Sequence, residues 1–298
     1  MHVWLDGTWL ARDDAQVSVF DAGLQHGVGL FETMLAKNGR VFRVRAHLER
    51  LVNSATELRL TQSLNIEPLA EAVQLTLEKN ALTEARVRLT ITGGDLNLLQ
   101  QSGGRASHDP TILIVAQPPT PYSPEIFASG VRVTCAAPRL NPLDPFASHK
   151  TLWYWPRLAS LQAAGAAGAS ESLHFSVIHE LACGCVSNVF LVRGDTLLTP
   201  LARGEEPVGG LPAPVLPGIT RATIIELAEA AGLAVERRGL KINDVLAADE
   251  LFLTNSSWGV LPVVAVEASS IHNGKPGPRT LEMREAWRGC VDRETSER

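Results

Sequence analysis

The stretch Pro118-Pro119-Thr120-Pro121-Tyr122-Ser123-Pro124 constrains this chain more than any other feature. Proline fixes φ and removes a backbone donor, so neither a helix nor a strand runs through such a segment. Residues 118–124 therefore read as a linker between a smaller N-terminal domain, residues 1–117, and a larger C-terminal domain, residues 125–298. Helical and strand patterns mix on both sides of it. Residues 45–60 place Leu48, Leu51, Val52, Ala55 and Leu58 on one face at helical spacing. Residues 85–92 alternate, with Val87, Leu89 and Ile91 on one side, and residues 111–115 form a short β-branched run; both predict strands. Beyond the linker, residues 131–136, 185–192, 251–254 and 261–266 read as strands, and residues 157–167 and 221–231 as helices. The fold class is α+β, with two mixed domains and a cleft between them expected to take a small ligand.

Composition narrows the function classes. Of the 298 residues, 45% are apolar and 20% charged, as in soluble globular proteins. A net charge of −5, from 27 basic and 32 acidic residues, gives no basic patch for nucleic acid. No run of about 18 apolar residues predicts a membrane span, and the first residues lack the pattern of a secretory signal. Four cysteines at irregular spacing make no disulfide framework, which fits a cytoplasmic protein. Cys183 and Cys185 fall on one strand face without further ligands, so they read as core and no metal is expected.

Four blocks carry polar residues in patterns that suit a cofactor. The first is Asp21-Ala22-Gly23-Leu24-Gln25-His26-Gly27-Val28-Gly29-Leu30-Phe31-Glu32-Thr33, followed by His47-Leu48-Glu49-Arg50. The second is His149-Lys150-Thr151-Leu152, beside Phe146, Trp153, Tyr154 and Trp155, whose apolar surroundings would desolvate the lysine amine and favour its unprotonated form. The third is Leu216-Pro217-Gly218-Ile219-Thr220-Arg221, a helix start whose unpaired N–H groups suit an anion. The fourth runs from Asp249 through Asn255, Ser256, Ser257, Trp258 and Gly259 to Val263. Taken singly, each has a plainer explanation: turn glycines, a solvated helical arginine, a surface lysine, a capped helix start, a β-hairpin turn.

Together and in this order, the blocks resemble the class IV aminotransferases, the fold type IV pyridoxal-phosphate enzymes. Glu171-Ser172-Leu173 and Ser187-Asn188-Val189-Phe190 add to the resemblance, which spans nearly the whole chain. It implies a two-domain α+β fold like that of D-amino-acid aminotransferase, a homodimer, and pyridoxal 5'-phosphate as cofactor. It makes Lys150 the Schiff-base lysine and Arg50 a phosphate ligand through paired charge-assisted hydrogen bonds. The cofactor phosphate is also expected to meet Gly218, the Ile219 and Thr220 amides, the Thr220 hydroxyl and the Ser256 hydroxyl. The loop from Asn255 to Val263 looks more like that of aminodeoxychorismate lyases than of D-amino-acid or branched-chain transaminases. The function it implies is a lyase forming 4-aminobenzoate and pyruvate from 4-amino-4-deoxychorismate for folate synthesis. A D-amino-acid or branched-chain aminotransferase is the alternative, and a member with lost or changed cofactor use is another. Trp153, Asn255, Ser257 and Trp258 are the expected substrate contacts.

Two departures fall next to the cofactor. The family's glutamate, five residues before the asparagine of s-N-v-F, keeps the pyridine nitrogen protonated; here that position is Cys183. Glu180 lies at an odd offset and so on the opposite strand face. A neutral thiol is a poorer partner for a pyridinium, so a weaker electron sink is expected, hurting transamination more than an elimination that forms an aromatic product. Trp153 replaces a frequent asparagine, putting an indole where it either stacks on a ring or fills the room a substrate needs.

Overall fold

The computed structural model describes residues 1–95 and 110–296. The chain divides into two units. The first takes Met1–Thr120 with His149–Trp153 and the residues from Val291 onward, and the second takes Pro121–Ser148 and Tyr154–Cys290. The change of unit after Thr120 falls inside the proline-rich stretch. The Lys150 segment differs from the expected C-terminal placement: it belongs to the first unit, because its backbone pairs with a strand there.

The first unit is built on β1 (His2–Leu5), β2 (Thr8–Ala11), β3 (Gly29–Lys37), β4 (Arg40–Val41), β5 (Ala85–Thr92) and β6 (Ile112–Gln117). They form one antiparallel sheet of order β2-β1-β6-β5-β3-β4. Strand β5 buries Ala85, Val87, Leu89 and Ile91 completely, as period-two alternation requires. The short α1 (Ala22–His26) precedes β3, while α2 (Val44–Glu57) and α3 (Ile66–Lys79) contribute Leu48, Leu51, Leu69, Val73 and Leu77 to the core. Where the apolar spacing predicts a helix over residues 45–60, α2 ends at Glu57 because Arg59 turns left-handed. Its buried stripe also holds His47, Arg50 and Ser54, which a count of apolar residues passes over.

The second unit contains α4 (Glu125–Ala128), β7 (Val131–Cys135), α5 (Trp155–Ala166), β8 (Glu171–Phe175), β9 (Leu181–Cys183), β10 (Asn188–Arg193) and β11 (Thr196–Thr199). It continues through α6 (Ile219–Ala230), β12 (Ala234–Arg237), α7 (Ile242–Leu246), β13 (Glu250–Asn255), β14 (Gly259–Val266), β15 (Ser269–Ser270) and α8 (Pro278–Ser296), whose residues from Val291 onward belong to the first unit. The polar C-terminal stretch is helical to Ser296. The strands form one sheet of order β12-β11-β10-β13-β14-β7-β8-β9, with β15 against β14. β7 and β8 are parallel, as are β11 and β12. Parallel neighbours need a crossover, and α5 and α6 lie in those two connections. Val133, Leu173, Val189, Leu191, Leu251 and Leu253 fill one core, while Phe190 and Phe252, paired in register, stack with centroids 5.0 Å apart.

A strand over residues 185–192 starts late, at Asn188. The Glu171 carboxylate collects the amides of Cys185 and Val186 and the Ser187 hydroxyl, and Gly184 bonds Ser187 across the resulting turn. Among the described residues no helix is long and apolar enough to cross a membrane.

Candidate active site

In the first unit the glycines of the block fall on different elements: Gly23 in α1, Gly27 at its left-handed C-cap and Gly29 at the start of β3. The Phe31 amide donates to the Lys150 carbonyl and the Leu152 amide to the Gly29 carbonyl, both at 2.9 Å, so residues 150–152 lie along β3. A Cβ at Gly29 would stand 2.3 Å from the Ile91 carbonyl and 2.6 Å from Leu152 Cδ1, which is why this approach requires glycine. Asp21 holds the start of the block: it caps α1 through the Gly23 amide and accepts from the Thr92 and Thr111 hydroxyls. His149 packs next to the lysine, with Nε2 3.4 Å from Glu57 Oε2.

Lys150 Nζ lies over the Phe31 ring, 4.5 Å from its centroid, and the Arg88 guanidinium lies 3.5 Å from the same centroid. Phe146, Trp153 and Trp155 are all at least half exposed. The ring against the amine comes instead from β3, 119 positions earlier in the chain than the lysine it meets.

One residue after Phe31, the fully buried Glu32 binds α2. Arg50 donates from Nε to Oε1 at 2.8 Å and from Nη2 to Oε2 at 2.6 Å, and His47 Nδ1 lies 2.7 Å from Oε2. Burial by itself would raise the Glu32 carboxyl, but the Arg50 charge and the His47 hydrogen bond overcome it and hold the pKa at about 2. His47 is pushed below its ordinary value by burial, helped by the charges of Arg50 and Lys150 against the opposing pull of Glu32. It therefore stays neutral and donates from Nδ1. The Nε–Nη2 edge of Arg50 is committed to Glu32, so a phosphate has to be met by another edge of the guanidinium.

A pH dependence follows from these two groups. The unfolded chain binds a proton at His47 near its ordinary value of 6.5, which the folded chain refuses, and at Glu32 near 4.5, which the fold refuses down to about 2. Both shifts make the unfolded state take up more protons, so stability is complete above neutrality and falls as pH drops. Urea midpoints at about pH 7, 5 and 3 should decrease in that order; a midpoint that rises on acidification would contradict the assignment.

In the second unit, Gly218 caps α6 without a side chain, leaving the first-turn amides, Ile219 and Thr220 among them, without a side-chain acceptor. A Cβ at Gly218 would come 2.0 Å from Asn188 Oδ1, so a larger residue at this cap would displace the Asn188 side chain. Asn188 Nδ2 meanwhile bonds the Leu216 carbonyl at 2.9 Å. Thr254, directly opposite Asn188 in the β10–β13 register and so on the same face, has a buried hydroxyl with no partner among the described residues. These features fit a phosphate group: uncapped helix amides, a glycine at the cap and an orphaned hydroxyl on the adjoining strand.

Ser256, Ser257 and Trp258 follow in the turn between β13 and β14. Asn255 is committed to that turn, its Oδ1 accepting from the Ser257 and Trp258 amides and its Nδ2 reaching the Val186 carbonyl. This gives Asn255 a turn-forming task. Trp258 packs edge-on to Tyr122, centroids 5.8 Å apart. Cys183 is buried at the end of β9, opposite His174, and Arg157 Nη1 approaches its sulfur at 3.2 Å. Glu32, His47, Phe31, Arg88 and Arg157 carry no assigned role in the sequence reading. The H-x-x-R spacing places His47 and Arg50 on one helix face, yet nothing along the chain names their carboxylate partner.

The fold is that of the fold type IV pyridoxal-phosphate enzymes. The amino-transferase class IV family model matches residues 29–266, and the chain belongs to that family. Pyridoxal phosphate is the family's cofactor. A Methanocaldococcus jannaschii protein, provisionally designated a branched-chain-amino-acid aminotransferase, is 33% identical over 291 residues, 97% of this chain and 96% of its own. The crystal structure of Escherichia coli branched-chain amino acid aminotransferase superposes with a TM-score of 0.88 at 28% identity, covering 97% of this chain and 94% of that one. The 4-amino-4-deoxychorismate lyase of Pseudomonas aeruginosa gives 0.82 at 27% identity, covering 97% and 99%. These likenesses favour the aminotransferase alternative over the lyase expected from the loop.

Proposed function

We propose that this protein is a pyridoxal-phosphate-dependent aminotransferase acting on branched-chain amino acids. The observation that carries the reading is the full-length likeness to proteins named for that activity, at 33% identity in sequence and a TM-score of 0.88 in structure. In the first unit, Lys150 would bind the cofactor covalently and Arg50, oriented by Glu32, would meet its phosphate. In the second, the Ile219 and Thr220 amides, the Thr220 hydroxyl and Ser256 would meet the phosphate, and Cys183 the ring. When bound, pyridoxal phosphate supplies an aldehyde that takes up an amine and an electron sink.

The rest is work for side chains. Lys150 Nζ, resting over Phe31, carries the proton taken from the substrate α-carbon. Arg88, at the same ring, is the cation placed to receive a substrate carboxylate. The exposed indole of Trp153, three residues after Lys150, offers a surface to a branched apolar side chain. Exposed Val19, Phe20 and Leu24 support a homodimer that covers them.

Glutamate formation from 2-oxoglutarate with leucine, isoleucine or valine tests the reading directly. Cys183 in place of glutamate favours one competing activity, the lyase, so release of 4-aminobenzoate from 4-amino-4-deoxychorismate belongs in the same experiment. Amino transfer without 4-aminobenzoate release is expected, and the reverse result would replace this reading with the lyase. Gly218→Ala should weaken cofactor binding about tenfold, because the new Cβ drives Asn188 from its place beside the α6 amides. An absorbance titration with pyridoxal phosphate measures it.

A further inference from the structure

Cys183 stands where the resemblance implies a carboxylate, and the group that reaches it is a cation. Arg157, in the first turn of α5, donates from Nη1 to Cys183 Sγ at 3.2 Å and to the carbonyls of Gly184 and Cys185 at 3.3 and 3.4 Å. Its Nη2 reaches the Ala147 carbonyl at 3.4 Å. None of these acceptors is a carboxylate, so the guanidinium is fixed in place without an ion pair among the described residues.

The other polar groups around Cys183 do not reverse that balance. Glu171, fully buried, accepts from the Ser172 and Cys185 amides on Oε1 and from the Val186 amide and Ser187 hydroxyl on Oε2, so its carboxylate is turned to that backbone turn rather than to the Cys183 sulfur. The side chain of Glu180 lies against Gly239. Tyr154 gives its hydroxyl to the Cys185 carbonyl at 3.3 Å, and burial pushes its pKa up to about 12, so it is neutral. His174, across from Cys183, is pushed down to about 4 by burial and then by Arg157, and is also neutral. Cys185 is neutral too, burial and Glu171 holding its thiol far above the ordinary range. A second cation, Arg139, stacks on Phe175 and also opposes charge on His174.

We infer that the ring nitrogen of pyridoxal phosphate meets the Cys183 thiol backed by Arg157, and is held unprotonated. The inference rests on the cofactor-binding reading above. A pyridinium beside a fixed guanidinium is a like-charge pair, disfavoured in a poorly solvated setting. The neutral nitrogen instead accepts a hydrogen bond from the thiol. The enzyme then works with a weaker sink than its relatives that carry glutamate, and leans harder on Lys150 to hold the transferred proton.

The experiment is the ¹⁵N NMR spectrum of the holoprotein loaded with pyridoxal phosphate labelled at the ring nitrogen, near neutral pH. The wild-type protein should show the resonance of a neutral pyridine, Cys183→Glu should move it to the pyridinium position, and Arg157→Gln should raise the pH at which it titrates. A pyridinium resonance in the wild type overturns the inference, the Cys183 sulfur then serving as an anion in the glutamate's stead. No movement in Cys183→Glu overturns it as well, since the position would not face the nitrogen. The wild-type spectrum is decisive even if the variants fail to fold. Loss of the label to bulk solvent, with no borohydride-stable attachment at Lys150, overturns the cofactor-binding reading itself and this inference with it.

Discussion

Lys150→Ala is expected to abolish borohydride-stable attachment of pyridoxal phosphate and to lower kcat/KM for amino transfer by at least about 10²–10⁴-fold, the usual worth of a positioned proton carrier. The size of the effect comes from the way the lysine is held. Its backbone is tied to β3 by the Phe31–Lys150 hydrogen bond and, two residues on, the Leu152–Gly29 bond. Its amine therefore starts from a fixed strand edge, with the Phe31 ring beneath it. Alanine keeps both backbone bonds and removes only the amine, so folding should survive. Intact mass after reduction, a thermal melt and steady-state kinetics separate the outcomes. A labelled Lys150→Ala protein, or one with undiminished turnover, would show that another amine does the work.

Glu32→Gln should cost about 3–5 kcal/mol of stability, the range for breaking a buried ion pair by removing one partner. Glutamine nearly preserves the volume but offers one acceptor and one unwanted donor to Arg50, whose guanidinium is almost wholly buried, and to the His47 N–H. Its cofactor affinity should fall alongside, because Arg50 loses the carboxylate that fixes its plane. The double variant Glu32→Gln, Arg50→Met should recover part of the stability but none of the affinity, since removing both charges leaves no isolated ion. Urea unfolding and cofactor titration on the three variants give both numbers. A Glu32→Gln protein within about 0.5 kcal/mol of wild type would mean the pair is not formed in solution.

Much of the candidate site is visible in the sequence as motifs and almost none of it as contacts. Lys150, Arg50 and Gly218 to Thr220 are each legible because their neighbours recur in a recognisable order. The period-two burial of β5 and the apolar face of α2 are legible because those elements bury one side each. The turn-forming task of Asn255 is not legible in the sequence, since turn formation and ligand contact select the same residue types. The late start of β10 is equally hidden, because β-branched Val186 and apolar Cys185 match a strand while the Glu171 carboxylate, fourteen residues before Cys185, bends them into a turn.

By itself the sequence determined the two mixed segments on either side of the prolines and, through the resemblance its motifs carry, the family and its cofactor. The first is a local matter of backbone preference and periodicity, and the second follows from the order in which the motifs recur. Only the tertiary structure decided that Lys150 sits with the first unit on β3, that Glu32 is the acceptor for both His47 and Arg50, and that the cation against Cys183 is Arg157. Each of those facts joins residues 15 to 119 positions apart. No residue type or spacing encodes such a meeting, because it is fixed by which strands pair and which helix faces the sheet buries.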